Sequence, residues 1–515
     1  MVRGSVWGIA FRWTVRGLGF VNTIVLARLL TPADFGIVTI AMLIAGSIEL
    51  FLQNGQSLAL IRHPHPTREH YDSAWTVALM LGLVLGIAIW FAAPLASLYF
   101  HEPRAGSVIH IVAFRTMMTG LVNIGVVNLR RDLRFRANFV YYSAPSVVSF
   151  VVTIASALYL RNYWALVLGI MSQQVATIVI SYVIEPFRPR LSLAKVQEIW
   201  SFSIWTLARL VGSYLNEQVD KFAIGGISGA ASMGRYEIAT DIATIPTAEI
   251  NAPMINTLFP VMAKLQNEHD KRRELYLQVL AWSALICVST SLGVVLVAND
   301  LVDLALGPKW EDAKPLVPWL SLAFGLLGLS SSVYSAFDVI GRPDISARLQ
   351  WTRLLGLSVF TFPIAFLFHS VLAVAMTRFA VTLLITPALF YALARALNIH
   401  AGDFLRMLWR PVFAGIAMTI VVVALNVVIP FVGALRLLLD AVAGALVYAS
   451  CVIVLWHLSG RPQGPETTAW QWIARVFNGR SEENRIEVEA MFAAAKIPGH
   501  PSTVESAPLS SSEHD

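Results

Sequence analysis

Apolar runs separated by short polar breaks fill the chain as far as about residue 459. Each run is near the ~20 residues that an α-helix needs to cross about 30 Å of hydrocarbon. With proline, glycine and charged residues taken as breaks, the pattern predicts roughly fourteen membrane-spanning helices. The fourth is expected to centre near Thr119, and the eighth, near Ile245, is much more polar than the others. The expected fold class is therefore an all-α polytopic membrane protein.

The composition supports a membrane protein. Of the 515 residues, 56% are hydrophobic and 14% are charged, whereas about 25% of the residues of a soluble domain are charged. The net charge of +6 would suggest a nucleic-acid partner for a soluble protein. In a membrane protein, basic cytoplasmic loops explain the same charge. We therefore expect the lipid bilayer, and no nucleic acid, as a partner.

Basic residues are unevenly distributed over the predicted loops. Roughly eighteen lie in the even-numbered loops and about five in the odd-numbered ones, which predicts cytoplasmic even loops and two cytoplasmic termini. Arg12 and Arg16 interrupt the first apolar run, so we expect a retained helix there and no signal peptide. The longest odd loop, about 299–314, is too short for an extracytoplasmic catalytic domain. The Walker A phosphate loop of ATPases does not occur.

A weak internal repeat divides the predicted helices. The stretch NTIVLARLLTPADFGIVTIA from Asn22 aligns without gaps with DKFAIGGISGAASMGRYEIA from Asp220. Each combines the end of one helix, a tight turn of small residues and the start of a second helix. We therefore expect two six-helix lobes, 1–190 and 191–398, related as a parallel repeat. Two additional helices (399–459) and a largely disordered cytoplasmic tail (460–515) follow.

Ionisable residues within the predicted helices mark a candidate cavity, because a charge in mid-bilayer costs roughly 2.5–3.5 kcal/mol. Arg12 is near enough to the helix end to reach the interface. On the seventh helix, Arg209, Asn216 and Asp220 share one face. Guanidinium groups bind phosphate in a bidentate manner, so several arginines around one cavity favour an anionic substrate. The expected substrate-binding residues are Arg16, Arg115, Arg209, Arg378 and Asn216.

Acidic residues in the same helices have two possible roles. Glu49, Asp220, Asp241 and Glu249 are expected either to pair with the arginines or to carry a coupling proton. The sequence does not separate these roles, and a structural ion pair is also the alternative for each arginine.

We expect no catalytic residue, metal or cofactor. Cys287 and Cys451 lie in apolar segments and are interpreted as core residues. The HPHP stretch that begins at His63 falls in a predicted cytoplasmic loop, where histidines are usually solvated.

Three stretches carry a resemblance to a known family. LARLLTPADFGIVTIA, NLRRDLRF and GRPDISAR resemble the polysaccharide transporters of the MOP superfamily, the Wzx-type flippases of lipid-linked oligosaccharides. The resemblance covers about residues 1–398 and implies that an undecaprenyl-pyrophosphate-linked oligosaccharide crosses the bacterial inner membrane. The carrier pyrophosphate would lie near the cavity arginines, and a polysaccharide polymerase or co-polymerase is a further expected partner.

Other functions remain open at this point. A peptidoglycan-precursor exporter of the same superfamily fits the same pattern, whereas a multidrug exporter would have few buried arginines. A polysaccharide polymerase or ligase would be an enzyme of a different class, and a scaffold without transport activity is a third. The buried charges and the repeat favour a secondary transporter, which is not an enzyme.

Overall fold

The computed structural model describes residues 2–50, 60, 63, 66–132, 134–199, 204–264, 269–428, 433–462 and 464–467. Within these ranges it does not describe the side chains of residues 2–15, 199, 204, 206, 245, 246, 248–250, 252–264 and 269–270. The predicted interfacial position of the Arg12 side chain therefore lies outside the described residues, as does the predicted disorder of the tail beyond Thr467.

The described residues form helices and connecting loops. The α-helices are α1 (Val2–Leu29), α2 (Pro32–Glu49), α3 (Arg68–Tyr99), α4 (Pro103–Thr119), α5 (Val127–Arg131), α6 (Phe135–Leu160), α7 (Trp164–Ile184), α8 (Val196–Ile199), α9 (Ile204–Lys264), α10 (His269–Ala305), α11 (Leu316–Val339), α12 (Pro343–Phe368), α13 (Val371–Leu397), α14 (Ala401–Val428) and α15 (Ala434–Leu458). Short 3₁₀ helices cover Ile124–Val126 and Pro308–Ala313.

Ten of these helices are long and apolar enough to cross a bilayer, and one bent pair qualifies as an eleventh span. The chain is therefore a multi-pass, all-helical membrane protein, as the sequence predicts. Helices α1 and α9 are outside this set. They carry several charged residues each, so their hydropathy alone does not identify them as spans. The total of about fourteen spans stays a prediction.

The predicted fourth span, centred near Thr119, is a bent pair of helices and not one straight helix. Helix α4 ends at Thr119, and the chain bends by 69° before Ile124–Arg131. Asn123 fixes the bend, because its Nδ2 donates to the carbonyl oxygens of Glu185 at 2.9 Å and Phe187 at 2.8 Å. Its Oδ1 accepts from the backbone N–H of Gly125 at 2.9 Å. Side-chain bonds of this kind compete with the helical backbone pattern and end the helix.

The two aligned repeat segments meet in a reciprocal contact. Helix α9 is broken at Gly229, where φ is 81°, and the ungapped alignment pairs Gly229 with Thr31, the N-cap of α2. A Cβ atom on Gly36 would lie 1.8 Å from the carbonyl oxygen of Ala230, and one on Gly234 would lie 1.9 Å from that of Pro32. Residue 36 aligns with 234 and residue 32 with 230, so each segment makes the same contact to the other. Such reciprocity is typical of a two-fold relation.

The apolar core joins the two segments at one end. One continuous cluster contains Leu26 to Ala45 and residues between Ala223 and Ala243, together with Trp310. The indole Nε1 of Trp310 donates to the carbonyl oxygen of Ala27 at 2.8 Å. The clusters around Tyr71 in the first predicted half and around Tyr276 in the second are separate. The two predicted halves therefore share a core at the end where α1 finishes and α2 begins.

The described residues up to Val452 form one compact unit, and the described residues from Ile453 onward belong to another. The division of the first unit into lobes 1–190 and 191–398 stays a prediction.

Candidate functional site

A cavity of about 490 Å³ lies among α9, α11, α12 and α13, and Arg16 of α1 completes its wall. Binding sites for small molecules are typically about 300–1,000 Å³. The lining includes four basic residues and two acidic ones, namely Arg16, Lys221, Arg353, Arg378, Glu217 and Asp241. Except for Arg16, all of them belong to the second predicted half. The described cavity is therefore built mainly within that half and not equally from both.

Arg378 forms an ion pair with Asp220 inside this half. Its Nη1 lies 2.5 Å from Oδ2 of Asp220, and the two side chains are 1% and 0% exposed. Nη2 donates to the carbonyl oxygen of Asn216 at 3.3 Å, and the hydroxyl of Tyr236 donates to the same Asp220 oxygen. The guanidinium also lies over the ring of Phe324, 4.8 Å from its centroid. The charge of Arg378 at the cavity wall is therefore already neutralised.

Arg353 is a buried cation that forms no ion pair within 4 Å among the described residues, and the carboxylate of Glu217, which also lines the cavity, acts on its charge at longer range. The residue is 4% exposed and lines the cavity. Its Nε and Nη2 atoms are buried without a hydrogen-bond partner, and none of the ion pairs among the described residues includes it. The hydroxyl of Tyr334 lies beside the guanidinium. Buried polar groups are rarely left unsatisfied, and an unpaired buried charge is more costly still. An anionic ligand in the cavity would satisfy these donors.

Asn216 fixes α12, the helix that carries Arg353. Its Nδ2 donates to the carbonyl oxygen of Gln350 at 2.8 Å and to Oε1 of Gln350 at 3.1 Å. Gln350 precedes Arg353 by three residues, so both lie on one face of α12. Asn216 is 2% exposed, and its contacts set the depth at which Arg353 meets the cavity.

Arg16 and Asp241 connect the cavity to a smaller groove of about 140 Å³. Gly19 and Thr23 of α1 line this groove, together with apolar residues of α9 and α10. Asp241 is exposed within the space, and the positive charge of Arg16 acts on its carboxylate. Nearby, Lys221 Nζ lies 2.5 Å from Oε2 of Glu237. The part of the cavity next to this groove therefore contains charges of both signs.

Two expected arginines lie away from this cavity. Arg115 is one turn before the end of α4, and its Nη2 donates to both carboxylate oxygens of Glu49, at 3.0 and 2.9 Å. Arg209 Nε lies 3.4 Å from Oδ2 of Asp338. Neither arginine lines the cavity. The side chain of Glu249, another expected coupling or pairing residue, lies outside the described residues.

The structure brings together Arg16, Asn216, Asp220, Asp241 and Arg378 among the expected residues. Sequence reasoning missed Arg353, Glu217 and Lys221. A signal existed for each of them. Arg353 follows Gln350 by three positions within an apolar run, and Glu217 and Lys221 are four residues apart on α9, so each pair is a polar stripe on one helical face.

Comparisons with known proteins identify the family. A family model described as "Polysaccharide biosynthesis protein" matches residues 25–315, more than half of the chain. The chain therefore belongs to this family, and its resemblance to the polysaccharide transporters of the MOP superfamily is confirmed.

Curated relatives match over most of their length. The lipopolysaccharide biosynthesis protein WzxC of Escherichia coli is 24% identical over 68% of this chain and 72% of its own. The succinoglycan biosynthesis transport protein ExoT of Rhizobium meliloti is 22% identical over 69% of this chain and 72% of its own.

Solved structures show the same fold. The lipid II flippase MurJ in an inward closed conformation has a TM-score of 0.72 at 13% identity, and the match covers 89% of this chain and 99% of that one. An inward-facing multidrug transporter of the MOP superfamily has a TM-score of 0.55 at 14% identity, with coverage of 75% and 95%.

Proposed function

We propose that this member of the polysaccharide biosynthesis protein family is a flippase for an undecaprenyl-pyrophosphate-linked oligosaccharide. It moves the repeat unit across the bacterial inner membrane for exopolysaccharide or lipopolysaccharide synthesis, where a polymerase then uses it. Both termini are cytoplasmic in this proposal. The names of the relatives support the chemical class of the substrate, but the buried and unpaired Arg353 is the observation that carries the proposal.

Arg353 is suited to the pyrophosphate. A guanidinium offers a planar set of donors that matches phosphate oxygens, and it stays charged at any relevant pH. Arg353 lines the cavity, and its Nε and Nη2 are buried without a hydrogen-bond partner, so a change of side-chain rotamer is needed before both donors bind one phosphate group. Arg16 would meet the second phosphate in the part of the cavity next to the smaller groove. We assign Arg378 to fixing α13 against α9, because Asp220 already neutralises it.

The polar part of the lining is suited to sugars. Asn251, Ser331 and Gln350 line the same cavity as Arg353, and amides and hydroxyls are the groups that exchange hydrogen bonds with sugar hydroxyls. A multidrug site would instead be dominated by acidic and aromatic residues that attract cations. The mixture of basic and neutral polar groups therefore favours an anionic glycolipid head group.

The arrangement of the cores supports alternating access. By the positive-inside rule, the shared core and the Gly36–Ala230 contact lie at the extracytoplasmic end. Arg353 is ten residues after the start of the 26-residue helix α12, which is near the middle of the helix. In this proposal, the contact at Gly36 closes the outer end, so the cavity receives substrate from the cytoplasm, and release to the outside requires the two halves to separate at Gly36.

The proposal is tested by locating the lipid-linked repeat units in a strain that lacks this protein. We expect single repeat units to accumulate on the cytoplasmic leaflet, where a reagent that acts only from outside does not reach them. Accumulation of single units on the outer leaflet would contradict the proposal and indicate a polymerase. An unchanged polysaccharide pool with accumulating peptidoglycan precursor would indicate the alternative exporter.

A further inference from the structure

The linker between the two predicted halves is fixed to the start of α3. Its backbone N–H groups donate to three side chains of that helix: Arg190 to Oδ1 of Asp72 at 2.8 Å, Ser192 to Oγ1 of Thr76 at 2.9 Å and Lys195 to Oγ of Ser73 at 3.1 Å. These bonds hold α8 against the first turns of α3. By the positive-inside rule, this contact lies on the cytoplasmic side.

Docking of the linker brings together three groups that ligate metals. Nε2 of His70 lies 2.9 Å from Oε2 of Glu198, and Nε2 of His63 lies 4.0 Å from the same oxygen. One ligand atom from each residue lies within 4.8 Å of the other two. The centroids of the two imidazole rings are 4.4 Å apart. Two ligands at about 2.1 Å from a tetrahedral ion are roughly 3.4 Å apart, so a small movement of His63 would complete the set.

His70 is held in the orientation that a metal ligand needs. The residue is 4% exposed, its Nδ1 accepts a hydrogen bond from the backbone N–H of Thr67 at 3.2 Å, and Oγ1 of Thr67 lies 2.8 Å from the same nitrogen. With an ion on Nε2, the ring proton would move to Nδ1, the backbone N–H of Thr67 would give up its bond to that nitrogen, and the Thr67 hydroxyl would accept the Nδ1 proton. Metal-bound histidines almost always donate their second ring N–H in this way.

His63 is not the solvated loop residue that the sequence suggests. Its side chain is 32% exposed, and its Nδ1 is buried without a hydrogen-bond partner. Glu198 remains able to bind an ion, because Lys195 occupies its other oxygen, Oε1, at 2.7 Å. The cluster therefore contains one imidazole whose Nδ1 has no hydrogen-bond partner and one carboxylate oxygen that faces both histidines.

We propose that His63, His70 and Glu198 form a binding site for a divalent transition-metal ion, with Zn²⁺ as the best match. Two imidazole nitrogens and one carboxylate oxygen form a known zinc ligand set, and water takes the fourth position. Imidazole excludes Mg²⁺ and Ca²⁺, which prefer oxygen ligands. None of the three residues lines the substrate cavity. The bound ion fastens the linker between the halves to α3.

The test is metal binding by the purified full chain in detergent after removal of metals. Wild type is expected to take up one Zn²⁺ per chain in competition with a chromogenic chelator. Co²⁺ is expected to give the visible absorption of a four-coordinate site. His63→Ala keeps the bond between His70 and Glu198 and is expected to lower the affinity at least tenfold, as is Glu198→Gln. His400→Ala changes an exposed histidine elsewhere and is expected to bind as wild type does.

Two results would overturn the proposal. One is the absence of saturable binding of one ion per chain by wild type. The other is wild-type affinity in both His63→Ala and Glu198→Gln, each with the melting temperature of the metal-free wild type. Because the readout is metal uptake, it does not depend on whether the chain flips an oligosaccharide.

Discussion

Gly36 and Gly234 make the same contact from opposite sides of the interface between α2 and α9. Each lies against the backbone of the other segment. A Cβ atom added to Gly36 would lie 1.8 Å from the carbonyl oxygen of Ala230, and one added to Gly234 would lie 1.9 Å from that of Pro32. Only glycine permits so close an approach of two backbones. The contact therefore closes one end of the protein through backbone packing, which does not tolerate even a methyl group.

Gly36→Ala and Gly234→Ala are expected to weaken this closure. An added methyl group in a tight contact typically costs about 1–3 kcal/mol, and both variants should melt at a lower temperature in detergent. Gly293→Ala is the control, because nothing lies within 4 Å of its added Cβ, and it should melt as wild type does or slightly higher. Wild-type melting of both interface variants would exclude this packing.

The pair between Arg378 and Asp220 is expected to be structural. Removal of one member of a buried ion pair costs about 3–5 kcal/mol, whereas apolar replacement of both is often tolerated. We therefore expect Asp220→Ala to lose the monodisperse peak in size-exclusion chromatography. The double variant Asp220→Leu with Arg378→Met should recover it. If the double variant recovered folding but bound no pyrophosphate lipid, Arg378 would be a ligand and the structural assignment would be wrong.

Arg353 is expected to provide the main contact to pyrophosphate. A hydrogen bond to a charged group contributes about 1.5–3 kcal/mol, so Arg353→Ala should weaken binding of undecaprenyl pyrophosphate to the purified protein by roughly 10- to 100-fold. Arg353→Lys keeps the charge but loses the paired donors, so its affinity for undecaprenyl pyrophosphate should lie between those of wild type and Arg353→Ala.

Arg348→Ala is the matched control for Arg353. It removes an exposed arginine five residues earlier on the same helix and should bind as wild type does. Equal affinity of Arg353→Ala and Arg348→Ala would contradict the assignment of Arg353.

The small groove beside Arg16 is expected to admit the ligand. Gly19 lines it and has open space where a side chain would lie, so Gly19→Phe should fill the groove without loss of stability. Transport should fall while the melting temperature stays near that of wild type. Gly17→Ala also has open space around it and serves as a control. Full transport by Gly19→Phe would show that the ligand enters elsewhere.

Local features of the fold could be predicted from the sequence, because they depend on neighbouring residues. The turn of small residues at Gly229 and its counterpart at Thr31 follow from the aligned segments. The bend after Thr119 could not be predicted, since it depends on bonds between Asn123 and carbonyl groups about sixty residues away. A long-range partner of this kind leaves no trace in the local pattern of apolar positions.

The partners of the charged residues in the candidate site could not be predicted from the sequence either. The sequence shows that Arg378 and Arg353 both interrupt apolar helices, but it does not show which of them meets an acid. Asp220 lies 158 residues from Arg378, and only the packing of α13 against α9 makes them a pair. His63 is a comparable case, since its neighbour Glu198 comes from the linker between the two predicted halves.

The cavity around Arg353 is proposed to carry a pyrophosphate-linked oligosaccharide across the bilayer. The most direct test is flipping of a fluorescent undecaprenyl-pyrophosphate oligosaccharide in proteoliposomes, measured by the fraction that an external quencher reaches. Wild type and Arg348→Ala should exchange the lipid between leaflets, and Arg353→Ala should exchange it at least tenfold more slowly. Equal rates for Arg353→Ala and wild type, or no exchange above protein-free vesicles with wild type, would contradict the account.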